Sequence, residues 1–166
     1  MISTRIIVIG GLLTCLSVLF QSVPILFSEV LVFVTILSAL PIYIIAKISP
    51  KAGAAGYIIA AILIMFLSAH EGLFFLCSNG IVGLSLGVCH HYTNKKLTIY
   101  AISSAALTIA LSVMNFVIGI PVFGMKMPYS IYIQLGILLL FSWIYIIFYF
   151  YIANFFFKII NKMYKI

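Results

Sequence analysis

The sequence predicts an all-α integral membrane protein built as a six-transmembrane-helix bundle, and three observations predict it. Hydrophobic residues make up 66% of the chain and charged residues 7%, with a mean hydropathy of +1.35, far from the composition of an ordinary soluble domain. The apolar runs are continuous over roughly 18 to 28 residues, long enough for a helix to cross a bilayer, and unlike the alternating strands of about 10 residues that build membrane barrels. Eight of the nine basic residues fall on one side when these runs are threaded alternately through a membrane. In hydrocarbon every backbone N–H and C=O must be satisfied within the protein, which leaves helices as the spanning element.

The first span covers 5 to 22. It opens at Arg5 and carries Gly10, Gly11 and Thr14, but has no small-residue cleavage site before Gln21, so it is expected to be retained as a helix and not removed as a signal peptide. The turn-forming Gln21-Ser22-Val23-Pro24 is expected to end it. The second span, 29 to 47, stops at Ser49-Pro50-Lys51. The third, 52 to 69, presents Ala52, Gly56 and Ala60 at helix-packing spacing and ends in Ala69-His70-Glu71-Gly72. The fourth, 72 to 92, does the same with Gly80, Gly83 and Gly87 before Thr93-Asn94-Lys95-Lys96; small residues let helix backbones approach closely. The fifth, 97 to 120, has a comparable stripe of Ala101, Ala105, Thr108, Ser112 and Asn115. After a linker from Gly119 to Pro128, the sixth, 130 to 157, is rich in Phe, Tyr, Ile and Leu around Trp143 and is expected to face more lipid. The short linkers leave no room for a soluble domain, so 1–166 reads as a single transmembrane domain. No internal repeat is evident, which weighs against a self-contained secondary transporter.

Orientation follows from the basic residues. Arg5, Lys47, Lys51, Lys95, Lys96, Lys158, Lys162 and Lys165 share one side and Lys126 stands alone on the other, so the positive-inside rule places both termini in the cytoplasm of a cell-membrane protein. The net charge of +7 is thereby assigned to contact with anionic lipid, and no soluble basic segment suggests nucleic acid. Glu29 and Glu71, the two carboxylates, then lie at the outer face with His70 and Lys126.

Little in the chain suggests catalysis. His70-Glu71 lacks the second histidine of a zinc-protease motif, because position 74 is Phe. His90 and His91 point about 100° apart on a helix and read as interfacial. Cys15, Cys77 and Cys89 are scattered without metal-site spacing. There is no nucleophile elbow, phosphate-binding loop or Asp, so neither an enzyme nor a metal or cofactor site is expected.

Binding is better supported. Asn79, Asn115 and Gln134 lie roughly 6 to 12 Å below the outer boundary at the rise of an α-helix. With Glu29 and Glu71 they can line an outward-open pocket, with His70 and Lys126 near its mouth, because polar groups in hydrocarbon face the bundle interior. Taken singly, each amide reads first as a tie between helices. Two carboxylates against one lysine favour a small cationic or amine-bearing ligand over a polyanion.

The plan of six short-looped helices with a polar outer half resembles the S components of energy-coupling-factor (ECF) transporters. The most similar stretches are Ile48-Ser49-Pro50-Lys51-Ala52-Gly53-Ala54-Ala55-Gly56, like the family's "GPKAGALAG" start of the third helix, and the glycine-rich Gly80-Ile81-Val82-Gly83-Leu84-Ser85-Leu86-Gly87. YybS-like membrane proteins share these motifs, so a non-transport scaffold or immunity-type protein is the alternative. The ECF resemblance implies capture of a vitamin, a vitamin precursor or a metal ion, with a transmembrane T component and two ATPases as partners. The family docks its T component through an AxxxA motif on the first helix; here Gly10 and Thr14, or Gly11 and Cys15, have that spacing without the alanines. The extended His-bearing N-terminus of metal-type members is missing, which disfavours nickel or cobalt as substrate.

Overall fold

The computed structural model describes residues 4–27, 29–124 and 130–164, with no side-chain placement at Glu29 or from Ile160 onward. Seven α-helices, with one 3-10 and one π segment, make up six membrane-capable spans among the described residues. The first span is α1 (Thr4–Leu26); the second joins a 3-10 segment (Glu29–Ser38) to α2 (Ala39–Ile48); the third is α3 (Pro50–Leu67). The fourth joins α4 (Ala69–Cys77) to α5 (Asn79–Tyr92), the fifth continues α6 (Lys96–Ser112) into a π segment (Val113–Ile118), and the sixth is α7 (Ile131–Tyr164). The chain is thus a multi-pass, membrane-type all-helical protein.

Side-chain chemistry sets the breaks between spans. Ser49 and Ser68 adopt extended backbone and cap the next helix, their hydroxyls accepting from the amides of Ala52 and Glu71. Pro50 follows Ser49 at the first helical position, where its missing N–H costs nothing. Two expected linkers are therefore helical. Ala69-His70-Glu71-Gly72 forms the first turn of α4, because Ser68 already caps it. Gln21-Ser22-Val23-Pro24 continues α1 to Leu26, since Pro24 falls in its last turn and Gln21 and Ser22 are buried and hydrogen-bonded.

The second and fourth spans form the centre of the bundle, 56% and 50% buried against 22–28% for the other four. Their contact is built on glycine. A Cβ on Gly87 would sit 2.5 Å from the Ala46 Cβ and 2.7 Å from the Tyr43 carbonyl, and one on Gly83 would strike the Ala39 carbonyl, so α5 lies directly on the α2 backbone. The sixth span is as exposed as the third and fifth, and the first is the most exposed. Lipid exposure therefore does not single out the sixth span. The expected fifth-span stripe also turns elsewhere: Ala101 and Ala105 are exposed, whereas Ile99, Ser103, Leu107, Leu111 and Met114 are buried. Thr108 and Ser112 donate to the Ser104 and Thr108 carbonyls of their own helix, which satisfies them without an interior partner.

Candidate functional site

Departures from α geometry collect at one end of the bundle, here called the Glu71 end. The second span begins there with its 3-10 segment, the fifth finishes there with its π segment, and the fourth is interrupted at Ser78, whose backbone (φ −127°, ψ −91°) is not helical. Such segments at membrane depth require protein partners for the backbone groups they release. Those partners are side chains from three other spans. Ser17 donates to the Ser38 carbonyl at 2.6 Å, Asn79 to the Thr35 carbonyl at 3.0 Å and Tyr149 to the Ile36 carbonyl at 2.9 Å.

The break at Ser78 starts α5 at Asn79, a residue only 7% exposed. Its amide nitrogen also donates to Gln21 Oε1 at 3.2 Å, and its oxygen accepts from the Tyr145 hydroxyl at 3.3 Å. Gln21 Nε2 donates in turn to Glu71 Oε2 at 2.8 Å. Ser38 Oγ lies 2.9 Å from Gln21 Oε1 and 2.6 Å from the Thr35 carbonyl, so its single proton serves one acceptor at a time. Followed from Tyr145 through Asn79 and Gln21, every donor points toward Glu71. The chain of donors ends on a carboxylate oxygen, which accepts from Gln21.

An aromatic ladder runs beside this network. Along α7, Phe141 stacks on Tyr145 at 5.8 Å between centroids and Tyr145 on Tyr149 at 6.0 Å, and Phe123 meets Phe141 edge-on at 5.5 Å. The rings cover one another's faces, so the ladder stiffens α7 beside the network. A half-buried carboxylate with oriented donors behind it can pair with a small cation.

Of the residues expected to form a pocket, the structure joins Glu71 and Asn79, with Gln21 between them. Asn115, in the π segment, donates instead to Gln134 Oε1 at 3.3 Å. Gln134 precedes Tyr145 by about three turns, roughly 16 Å along α7, so this pair ties the last two spans at a separate level. His70 is exposed and packs edge-on to Phe74 at 4.8 Å. The Glu29 side chain and Lys126 lie outside the described residues. Of the expected docking residues, Thr14 is buried and its hydroxyl would be 2.7 Å from a Cβ on Gly56, and Gly10 faces Ile45 of the second span. Gly11 and Cys15 are exposed.

Sequence reasoning missed Gln21, Thr35, Ser38 and Tyr145. The signal for Gln21 and Ser17 was their four-residue spacing inside an apolar run, obscured by assigning Gln21 to a turn. It also missed a second polar cluster at the opposite end, called the Lys47 end. There the Tyr43 hydroxyl pairs with His90 Nδ1 at 2.8 Å, donates to Asn154 Oδ1 at 3.2 Å and accepts from Lys47 Nζ at 3.4 Å. His90 is thus half-buried and stacked on Phe150 at 5.6 Å, while exposed His91 pairs with the Lys47 carbonyl at 2.9 Å.

No protein-family model, curated protein or solved structure matches the chain.

Proposed function

We propose that this protein is the substrate-binding subunit of an ECF-type uptake transporter, taking a small vitamin-like or vitamin-precursor solute that carries a protonated amine or another cationic centre. The observation that carries the reading is the Glu71 carboxylate at the end of the Tyr145–Asn79–Gln21 chain, set in the half of the bundle where three spans leave α geometry. Interrupted helices are where membrane transporters place their binding sites, because freed backbone groups and oriented dipoles can exchange an internal partner for a ligand. In this reading the Glu71 end faces outward and the Lys47 end faces the cytoplasm, in keeping with the basic-residue asymmetry. A solute cation competes with Gln21 for Glu71. Transport then needs an energised partner, a T component with two ATPases, docking on the exposed α1 face that carries Gly11 and Cys15.

A second reading has its own support. The Asn79 amide is satisfied on both its nitrogen and its oxygen within the protein, as in a non-transport scaffold or immunity-type protein whose polar groups only tie helices together. The two readings separate on mass spectrometry of small molecules released by denaturing purified wild-type and Glu71→Gln protein. A cationic metabolite enriched in wild type and depleted in the variant supports binding; equal, unspecific profiles support the scaffold.

A further inference from the structure

A groove of about 200 Å³ with a wholly apolar lining runs over the second span, between α1 and α7. Leu40 and Ile44 form its floor, Leu13, Leu16 and Phe20 its α1 wall, and Phe156 the opposite wall. Helical periodicity says what stands at its end. On α2 the next turn beyond Ile44 brings Lys47 beneath Leu40, and on α1 three turns before Leu16 bring Arg5 to the same face. Both cations lie at the Lys47 end, Arg5 exposed and Lys47 half-buried.

Among the described residues Lys47 has no carboxylate partner. Its ammonium lies 3.7 Å from the Phe157 ring centroid and 3.4 Å from the Tyr43 hydroxyl. The two carboxylates of the chain belong to the opposite end, where Glu29 begins the 3-10 segment and Glu71 lies in the first turn of α4. Helical periodicity sets the two cations beyond the Lys47 end of the apolar groove, where an anion with an apolar chain attached complements both, and the bilayer supplies one.

We propose that the groove is a binding site for an anionic phospholipid, one acyl chain lying along Leu16, Leu40 and Ile44 and the phosphate meeting Arg5 and Lys47. A zwitterionic lipid fits the apolar part equally well but brings its own cation to the same place, so charge complementarity selects the anionic headgroup. The site is distinct from the Glu71 network and does not depend on what that network binds.

The test uses the full chain reconstituted in vesicles of phosphatidylglycerol and phosphatidylcholine with matched acyl chains, extracted gently, and weighed with its retained lipid by native mass spectrometry. Wild type should retain phosphatidylglycerol over phosphatidylcholine by about tenfold relative to the vesicle composition. Arg5→Gln, an exposed change that leaves the Tyr43 cluster intact, should reduce that preference severalfold, and Arg5→Gln with Lys47→Gln should abolish it. Leu16→Trp, which fills the groove, should strip the retained lipid of either kind. Equal retention of the two lipids by wild type overturns the proposal. So does an unchanged preference in the double variant, or a second copy of the chain in place of lipid.

Discussion

The Gln21 side-chain amide donates a 2.8 Å hydrogen bond to the carboxylate of Glu71, tying the first span to the fourth across 50 positions of sequence. Gln21 also receives Asn79 and Ser38 on its oxygen, so three buried or half-buried polar groups meet on one 2%-exposed side chain. Gln21→Leu keeps the volume and removes every one of these bonds. Because the partners stay behind in an apolar bundle, the expected loss is about 1–3 kcal/mol of unfolding free energy in detergent titration. An unchanged unfolding curve would show that the network relaxes at no cost.

The glycine seam should be the least tolerant part of the molecule. Gly87→Leu drives a side chain into Ala46 and Tyr43, whereas Gly11→Leu meets nothing within 4 Å. Size-exclusion chromatography of the purified variants is expected to show Gly87→Leu aggregated or poorly folded and Gly11→Leu indistinguishable from wild type. If the exposed face of α1 is the docking surface, Gly11→Leu will still fail to co-purify with a T component.

Much of this fold was legible because its determinants are one-dimensional. Span number and approximate limits follow from the length of apolar runs between polar breaks, and the Gly83 and Gly87 seam from four-residue spacing. The candidate site was only half legible. Glu71 and Asn79 were visible as polar residues in apolar surroundings, but the residue that joins them, Gln21, looked like part of a turn. Its helical state depends on burial against the second span, which no local pattern encodes. Asn115 and Gln134 were grouped with Asn79 by depth alone, and depth does not say which neighbours a helix faces. Tyr43 and Asn154 escaped notice because a tyrosine among isoleucines reads as apolar packing until its hydroxyl is seen to have partners.

At the Lys47 end, the Tyr43 hydroxyl holds the second, fourth and sixth spans together through His90 and Asn154. Tyr43→Phe preserves the ring contacts and deletes the bonds. Interhelical hydrogen bonds in membrane proteins contribute roughly 0.6 kcal/mol each and at most about 1.7, so unfolding should shift by about 1–2 kcal/mol. Tyr92→Phe, at an exposed position, is the control and should leave stability unchanged.

Orientation is tested by labelling single cysteines in a cysteine-free background. Positions 70 and 130 belong to one end of the bundle and 51 and 94 to the other, and all four are exposed. A membrane-impermeant maleimide on intact cells is expected to reach His70→Cys and Ser130→Cys at once, and Lys51→Cys and Asn94→Cys only after permeabilisation. The reverse pattern would turn the Glu71 end toward the cytoplasm and remove the basis for uptake from outside.

The central claim is that Glu71 receives a cationic solute in exchange for its internal bond to Gln21. The most direct measurement compares the metabolites retained by wild type and by Glu71→Gln after identical purification, since this substitution keeps the size of the side chain and removes its charge. With a charged hydrogen bond contributing about 1.5–3 kcal/mol, affinity should fall by roughly ten- to a hundredfold, and the retained cation should be depleted accordingly. A cation retained equally by both proteins, or no cation enriched in wild type, would contradict the claim and leave Glu71 as part of a structural tie.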